Sequence, residues 1–484
     1  MFDRTHHAPL PRPSRRWSIA VTASTMLVVL VALLTPAAHA SPSARYTPSE
    51  ILVRYAPAGS SLAHTANARD GDGANVAGEN TDTGTGTGER EAPGAYTRLL
   101  RLPRDADMAA ELARLGRRRD VLWAVPDYRA HAAGTFIPND PGLGGAPTDW
   151  EQLQWNFAGP FGVNAPEAWS NVAADGHPGG RGVIVAVLDT GVAYANRGRF
   201  RRSPDFSRYQ FVKGYDFVAH DPYPNDHNGH GTFVAATIAE STNNRFGLTG
   251  LAYGVRLMAV RVLNSQGEGD ASTIAEGVRF AVNHHARVIN LSLEFGTEVT
   301  AAEIPELIEA LHYARRRGVV VVAAAGNEGH ATIAYPARVP DVIAVGATTE
   351  HGCLANYSND GSGLTLVAPG GGADAALPGD PNCHPEEPSG RDVYQMTFTG
   401  PSPRRFGFPG GYEGTSMASP HVSATAALII ASGVLGRHPS PARVAARLRA
   451  TARPLGGPSD SRLYGAGLVD AAAATAPGGP GAVG

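Results

Sequence analysis

The stretch Gly182-Val-Ile-Val-Ala-Val-Leu-Asp-Thr-Gly-Val192 runs through seven uncharged residues and then reaches an aspartate. An apolar run of this length, rich in β-branched residues, is typical of a strand buried on both faces of a parallel sheet. Four further β-rich apolar runs follow, at Leu257–Leu263, Ala286–Ser292, Gly318–Ala325 and Val342–Gly346. They alternate with predicted helices at Thr232–Ser241, Ala271–His284 and Ala302–Arg316. This alternation predicts an α/β fold with a mainly parallel central sheet flanked by helices.

Polar residues stand where these elements begin or end, and in such sheets the site lies at the carboxyl ends of the strands. Asp189 follows the first strand and Asn327 follows the fourth, while His230 and Ser416 each open a helix rich in small residues. Each also has a simpler explanation. Asp189 and Asn327 suit turns, Ser416 suits a helix cap, and His230 is either structural or, with His227, a metal ligand. The sequence contains no HExxH motif, which would have supported a zinc site.

Taken together, the motifs resemble the subtilase family of serine peptidases. The matching segments are Val187-Leu-Asp-Thr-Gly191, His230-Gly-Thr232, Ala325-Gly-Asn327 and Gly414-Thr-Ser-Met-Ala-Ser-Pro-His421, in the family's order. The resemblance covers residues 150–473. It implies a subtilisin-like three-layer fold and a serine endopeptidase that works through an acyl-enzyme on its serine.

The resemblance also assigns chemical roles. Ser416 is the expected nucleophile, and His230 is the base that takes its proton and then protonates the leaving amine. Asp189 is expected to fix the imidazole tautomer and stabilise the imidazolium. The side-chain amide of Asn327 and the backbone N–H of Ser416 are the expected donors to the oxyanion.

The resemblance places the substrate-binding residues at Ser292, Leu293, Glu294 and Ala334. The family usually has Gly where Glu294 stands, and a carboxylate there would favour basic side chains in the substrate. Ala334, at the floor of the S1 pocket, implies a medium apolar pocket and broad specificity with an apolar P1 preference. Phe233 replaces a second His that the family usually carries outside the triad.

A structural calcium ion is a further expectation from the resemblance. Thr242-Asn-Asn-Arg-Phe-Gly-Leu248 is similar to the family's calcium loop. The expected ligands are the Asn244 side chain and the carbonyls of Thr242, Phe246 and Leu248, with Asp205 as the carboxylate. Oxygen donors of this kind suit Ca²⁺. A simple Asn-Asn turn is the alternative.

The first 40 residues have the layout of a secretory signal peptide. Arg12, Arg15 and Arg16 precede an uncharged apolar run from Trp17 to Leu34, and Ala38-His-Ala40 fits a cleavage site. A retained anchor is the alternative, since the run lies at the lower length limit for a spanning helix. Cleavage would give an extracellular protein without a membrane segment.

Residues 41–132 resemble the inhibitory propeptide of this family, ending in Val125-Pro-Asp-Tyr128. Strands at Ile51–Tyr55, Tyr96–Leu102 and Val121–Tyr128 and a helix from Asp107 to Arg119 predict a small α+β unit. The predicted organisation begins with a signal peptide at 1–40 and a propeptide-like domain at 41–132, which contains a disordered insert at 67–94. A linker or mature N-terminus follows at 133–150. The catalytic domain spans 151–473, and a disordered tail spans 474–484.

Composition excludes some partners and leaves other questions open. Charged residues make up 18% of the chain, the formal net charge is -3, and no basic stripe appears outside the N-terminus, so no nucleic-acid partner is expected. Cys353 and Cys383 are the two cysteines, and after secretion a disulfide between them is favoured over two free buried thiols. Both lie in a Gly/Pro-rich stretch that we expect to be exposed. A monomer is expected from the resemblance.

Two other functions remain open. A secreted relative of the same fold could bind proteins without hydrolysing them, which the intact set of Asp189, His230, Ser416 and Asn327 disfavours. A dedicated processing protease with few substrates is the second alternative. It is less favoured because no recognition domain follows the predicted catalytic domain.

Overall fold

The computed structural model describes residues 46–56, 96–102, 107–128, 136–146, 148–456, 460–478 and 480–482. The predicted signal peptide and the insert at 67–94 lie outside these residues. The chain divides into two units, Met1–Ala132 and Ala133–Gly484, which are described separately. Among the described residues, no helix has the length and apolar character needed to cross a membrane.

The N-terminal unit is a three-stranded antiparallel sheet with one helix. Strand β1 (Tyr46–Tyr55) lies between β2 (Tyr96–Arg101) and β3 (Val121–Tyr128), and helix α1 spans Met108–Leu115. Alternate residues of β1 and the apolar face of α1 form the core, which includes Ile51, Val53, Met108, Leu112 and Leu115. The helix begins as predicted, with the Asp107 carboxylate accepting the Ala110 N–H at 3.2 Å, but it ends before Gly116 and not at Arg119.

The larger unit is built on a seven-stranded sheet, and every pairing in it is parallel. The strands are β4 (Ile184–Asp189), β5 (Tyr215–Asp216), β6 (Arg256–Arg261), β7 (Val288–Leu291), β8 (Val320–Ala324), β9 (Ile343–Thr348) and β10 (Leu366–Pro369); β11 (Thr397–Phe398) and β12 (Phe406–Gly407) form a separate antiparallel pair. The strand order in the large sheet is β10-β9-β8-β7-β4-β6-β5. The α/β fold is therefore confirmed.

Helices cover both faces of the sheet. They are α2 (Trp150–Leu153), α3 (Trp155–Ala158), α4 (Ala165–Ala174), α5 (His230–Ala239), α6 (Ala271–Asn283), α7 (Pro305–Arg316), α8 (Thr415–Ser432), α9 (Pro441–Thr451), α10 (Ser461–Tyr464) and α11 (Ala471–Thr475). Val185 and Val187 of β4 join the core beneath α5 and α8, whereas Ala186 and Leu188 join the core beneath α6 and α7. Burial on both faces explains why β4 is apolar at successive positions.

Helix α8 is the longest helix of the described residues, and it corrects one prediction. It packs across β7, β8, β9 and β10, and its Ala, Ser and Thr residues permit this close approach. Its sequence predicts a helix that Ser416 opens, with Pro420 in the first turn. Because α8 begins at Thr415, Pro420 lies in the second turn, where it removes a backbone hydrogen bond to the carbonyl of Ser416.

The predicted disulfide between Cys353 and Cys383 is present, but the predicted exposure of Cys353 is wrong. Cys353 is fully buried because the chain after β9 turns back on itself, with the Thr349 N–H bonded to the Cys353 carbonyl at 2.9 Å. The segment between Gly370 and Gly411 carries β11 and β12 and is largely buried from Val393 to Phe398.

Candidate active site

The predicted site residues meet at the carboxyl edge of the large sheet. Asp189 is the last residue of β4, and Asn327 follows the end of β8. His230 is the first residue of α5, and Ser416 is the second residue of α8. Helices α5 and α8 pack against each other, and Phe233 and Met417 from their first turns share one apolar cluster.

Asp189 and His230 form a direct pair. The Nδ1 atom of His230 lies 2.8 Å from Oδ1 of Asp189, and the Asp189 side chain is fully buried. The same carboxylate oxygen accepts the Thr190 N–H at 2.7 Å. Burial alone would lower the pKa of His230, but the charge and the hydrogen bond of Asp189 more than offset it, and the pKa is raised above the ordinary 6.5. The contact with Asp189 leaves Nε2 as the nitrogen available to a substrate or nucleophile.

Ser416 is held by reciprocal bonds with Ser292. Its hydroxyl donates to the Ser292 carbonyl at 3.3 Å, and the Ser292 hydroxyl donates to the Ser416 carbonyl at 2.8 Å. Pro420 has no N–H to offer this carbonyl, so the Ser292 hydroxyl supplies the donor that the helix lacks. For the predicted proton transfer to His230, the Ser416 hydroxyl would first have to leave the Ser292 carbonyl.

The side-chain amide of Asn327 has a fixed orientation. Its Oδ1 atom accepts the Thr415 backbone N–H at 2.7 Å and the Thr415 hydroxyl at 3.0 Å, so Nδ2 points the other way. Nδ2 donates to Oε1 of Glu294 at 3.1 Å. Since a primary amide has two N–H groups, one remains for an oxyanion.

Two of the predicted substrate-binding residues, Glu294 and Ala334, are hydrogen-bonded to the segment that contains Asn327. Ser292 and Leu293 are buried, and Glu294 is exposed. Ala334 is fully buried, with its N–H bonded to the Ala325 carbonyl at 2.8 Å. The structure therefore places Glu294 and Ala334 next to residues 325–327, which include the predicted oxyanion donor.

Asp226 is a structural residue of this site that the sequence did not single out. Its carboxylate is fully buried and accepts the backbone N–H groups of Asn228 at 2.8 Å, Gly229 at 2.9 Å and Thr232 at 2.9 Å. It also accepts the hydroxyls of Thr190 and Thr232 at 2.9 and 2.6 Å. Asp226 thereby ties the start of α5 to the end of β4. The available signal was an acidic residue four positions before a helix, outside the usual capping position.

The segment from Thr397 to Tyr412 supports the same helix start. The ring of Tyr412 stacks on Phe233 with centroids 4.2 Å apart, in the place where the family usually has His. The Thr397 hydroxyl donates to the Gly229 carbonyl at 2.5 Å, directly before His230. Phe233 is therefore a packing residue, and the segment contributes to the position of His230.

The predicted calcium loop lies beside buried carboxylates. Oδ1 of Asp205 accepts the Asn244 amide at 2.6 Å, and Oδ2 accepts the Leu248 N–H at 3.2 Å. Asp140, which the sequence did not point to, accepts the N–H groups of Asn243 and Asn244 at 2.7 and 2.9 Å. Burial and the charge of Asp140 raise the pKa of Asp205 to about 8, against the hydrogen bond from Asn244. Neither aspartate has a cationic partner among the described residues.

No group of three or more His, Cys, Asp or Glu side chains in the described ranges is placed to hold a metal ion. The candidate ligands at this loop are therefore a mixed set of carboxylate, amide and carbonyl oxygens. Such a set is compatible with Ca²⁺ and unsuited to zinc.

Comparison with known proteins agrees with this geometry. The profile of the Subtilase family matches residues 180–467. The chain is 38% identical over 313 residues to the thermophilic serine proteinase of Bacillus sp. (strain AK1), a match that spans 65% of this chain and 64% of that protein. It is 39% identical over 298 residues to subtilisin Savinase of Lederbergia lenta, spanning 61% of this chain and 91% of that protein.

A solved structure of proteases from Pseudoalteromonas arctica superposes with a TM-score of 0.56 and 30% sequence identity. The match covers 70% of this chain and 99% of that one. The family profile begins at residue 180, so the N-terminal unit lies outside that match.

Proposed function

The chain belongs to the subtilase family of serine endopeptidases, and from this premise we propose that it is a secreted, self-processing enzyme that cleaves peptide bonds through an acyl-enzyme on Ser416. The observation that carries the catalytic part is the 2.8 Å contact between buried Asp189 and His230, at the helix start that packs beside Ser416.

The proposed first step is attack by Ser416 on the substrate carbonyl. His230 takes the hydroxyl proton through Nε2, and the Ser416 oxygen forms the new bond to carbon. The buried carboxylate of Asp189 stabilises the imidazolium that results and holds the ring in the required tautomer. His230 then gives the proton to the leaving amine, and water repeats the sequence to release the acid.

The oxyanion that develops in this step requires donors that are already in place. The free N–H of Asn327 is one, since Thr415 and Glu294 hold the rest of the amide. The backbone N–H of Ser416, in the first turn of α8, is the other. In subtilisins themselves, removing such an amide costs on the order of 100- to 1,000-fold in turnover, and we expect a similar loss for Asn327→Ala.

The precursor part of the proposal rests on the N-terminal layout. The unit Met1–Ala132 is separate from the rest of the chain and contains its own small core. We propose that it acts as the intramolecular inhibitor and is removed by the enzyme's own site, after a signal peptide at 1–40 has directed secretion. The mature enzyme is proposed to be a monomer.

For substrate preference, we propose broad specificity with an apolar P1 residue. Ala334 is fully buried and offers a methyl group at the predicted pocket floor, without a charge to select one side chain. Glu294, which the sequence suggested as a selector of basic residues, already accepts a hydrogen bond from Asn327. This contact favours a role in holding the amide over a role as a charge for P1.

We also propose a structural Ca²⁺ at the loop Thr242–Leu248. The residues fit a hard cation, because Asp140 and Asp205 are fully buried carboxylates without a cationic partner in the described part of the chain. The proposed ligands are these two carboxylates, the Asn244 side chain and the carbonyls of Thr242, Phe246 and Leu248. Bound Ca²⁺ would neutralise the buried charge and fix the loop without taking part in the reaction.

A fluorophosphonate probe tests the catalytic proposal directly. Incubation of the purified protein with the probe should add one probe mass to a peptide that contains Ser416, and the Ser416→Ala variant should stay unlabelled. Ser419→Ala, with a buried hydroxyl in the same helix, is the matched control and should still be labelled. A wild-type protein that is inert to the probe and to casein would favour the non-hydrolysing binding protein.

A further inference from the structure

Two arginine-rich segments far apart in the sequence meet on the surface of the larger unit. The N–H of Arg201 donates to the Pro403 carbonyl at 3.1 Å, and Nε of Arg404 donates to the Arg199 carbonyl at 2.8 Å. We call the combined surface the arginine patch, and its members are Arg197, Arg199, Arg201, Arg202, Arg404 and Arg405. The expectation that no basic stripe exists outside the N-terminus is therefore wrong for the folded chain.

The guanidinium groups of the arginine patch make no ion pair with a carboxylate among the described residues. They contact neutral groups instead. Arg201 donates to the carbonyls of Gly198 and Phe200 at 3.0 and 2.9 Å, and Arg197 lies over the ring of Tyr223, 3.1 Å from its centroid. Beside this ring, the Asp221 carboxylate accepts the Tyr223 N–H at 2.7 Å.

Charge of one sign concentrated in this way produces a local positive potential, even on a chain of net charge -3. All members except Arg202 are exposed. Exposed and unpaired guanidinium groups remain available for carboxylates, which they bind in bidentate fashion.

The arginine patch borders the candidate catalytic histidine. The ring of Phe200 lies 4.7 Å from the ring of His227, three residues before His230. The strand pair β11–β12, whose connection contains Arg404 and Arg405, is fixed to the same loop by the Thr397–Gly229 hydrogen bond. Because His230 delivers its proton to the leaving amine, the surface beside it is placed to contact the leaving part of the substrate.

We propose that the arginine patch is a substrate-binding surface that selects polypeptides with several Asp or Glu residues on the C-terminal side of the scissile bond. The proposal rests on the proposed endopeptidase function and adds a substrate class to it. Charge complementarity of this kind acts mainly on the association rate and is screened by salt.

The test uses internally quenched peptides that share the same apolar P1 residue and differ only in charge. One carries four Asp or Glu residues after the scissile bond, one carries them before it, and one carries Ser and Gln instead. We expect kcat/KM for the first peptide to exceed that for the neutral peptide by about 10-fold at low salt. The advantage should disappear near ~1 M NaCl, where the screening length is only about 3 Å.

Arginine variants show whether the arginine patch causes the preference for the acidic peptide. Arg404→Gln/Arg405→Gln should bring kcat/KM for the acidic peptide down toward that for the neutral one, and Arg405→Gln alone should give part of the loss. The matched control is Arg316→Gln/Arg317→Gln, which removes two exposed arginines at the end of α7, before β8 and therefore at the opposite edge of the sheet. The ratio of the two kcat/KM values should be unchanged in this control.

Binding to Ser416→Ala separates this proposal from the proposed reaction. Fluorescence anisotropy should show tighter binding of the acidic peptide than of the neutral peptide, and the double Arg404/Arg405 variant in the same background should abolish the difference. Failure of the endopeptidase function would leave this binding difference intact. Equal affinity for both peptides, or a preference that survives the double variant, would overturn the proposal. Retention on heparin without any peptide preference would also overturn it, in favour of a polyanion site.

Discussion

The pairing of Asp189 with His230 has a direct consequence for pH dependence. His230 must be neutral to accept the Ser416 proton, and its pKa is raised because the Asp189 charge and hydrogen bond outweigh burial. Activity should therefore rise with pH through an apparent pKa above the ordinary value of 6.5, and not below it. The measurement is kcat/KM for a neutral peptide across the acid range.

Asp189→Asn is the matched variant for this prediction. It removes the charge that raises the pKa, so the residual activity should titrate at lower pH and kcat should fall by about 10⁴-fold. If the apparent pKa on the acid side of the pH–activity profile is the same in Asp189→Asn as in the wild type, Asp189 does not set the pKa of His230.

Asp226 should behave as a positioning residue. Asp226→Ala would leave the buried N–H groups of Gly229 and Thr232 without an acceptor, at about 1–3 kcal/mol each, and would loosen the start of α5. We expect kcat to fall with little change in KM, together with a lower melting temperature. Asp226→Asn should rescue part of kcat, because its carbonyl oxygen can still accept some of these hydrogen bonds.

The control for Asp226 is Asp221→Ala, a nearby half-buried aspartate that accepts the Tyr223 N–H. It should leave the kcat for a neutral peptide near the wild-type value. An Asp226→Ala enzyme that keeps full kcat while losing stability would assign Asp226 to folding alone.

At the scale of elements, β4 illustrates what the sequence predicts well. Its apolar run is unbroken because both faces are buried, and the strand lies within one or two residues of the predicted bounds. Helix α5 begins at His230, as the Gly-rich turn before this residue indicates, because Gly229 adopts a left-handed conformation there; the predicted helical range Thr232–Ser241 begins two residues later than the helix itself. Pro420 lies in the second turn of α8, four residues after Ser416, where the Ser292 hydroxyl supplies the hydrogen bond that the proline cannot donate to the Ser416 carbonyl.

The beginning of α8 offers a test of how one element completes another. The Ser292 hydroxyl replaces the N–H that Pro420 lacks at the Ser416 carbonyl. Ser292→Ala should therefore destabilise the protein by about 1–3 kcal/mol and lower kcat. In a Pro420→Ala background the helix regains its own donor, so the cost of Ser292→Ala should shrink. A double-mutant cycle on unfolding free energy measures this coupling, and strict additivity would contradict it.

At the scale of the whole molecule, distant parts of the chain meet in ways that the sequence does not reveal. Asp140 precedes the core of the larger unit yet contacts Asn243 and Asn244 across more than a hundred residues of chain. The arginine patch joins residues 197–202 to residues 403–405 in the same way. Motifs at strand ends were predictable because a parallel sheet collects them, whereas these contacts depend on loop paths that carry no periodic signal.

The proposed calcium site beside Asp140 and Asp205 can be tested by removing the ion. Chelation with EDTA should lower the melting temperature, and adding Ca²⁺ back should restore it, since a ligand that binds only the folded state stabilises it. Asp140→Asn/Asp205→Asn should abolish the response to EDTA. The control Asp374→Asn alters another buried aspartate, one that contacts His351, and should retain the response. A wild-type melting temperature that EDTA leaves unchanged would contradict the proposed calcium site.

The most direct test of the central claim is the intact mass of the purified precursor over time, with wild type beside Ser416→Ala. If Ser416 is the nucleophile and the N-terminal unit is a propeptide, the wild type will shed a fragment that ends between residues 130 and 145, while Ser416→Ala stays whole. If the wild type also stays whole, or if both proteins are cut at the same place, Ser416 does not process its own chain and the account of a self-maturing peptidase is contradicted.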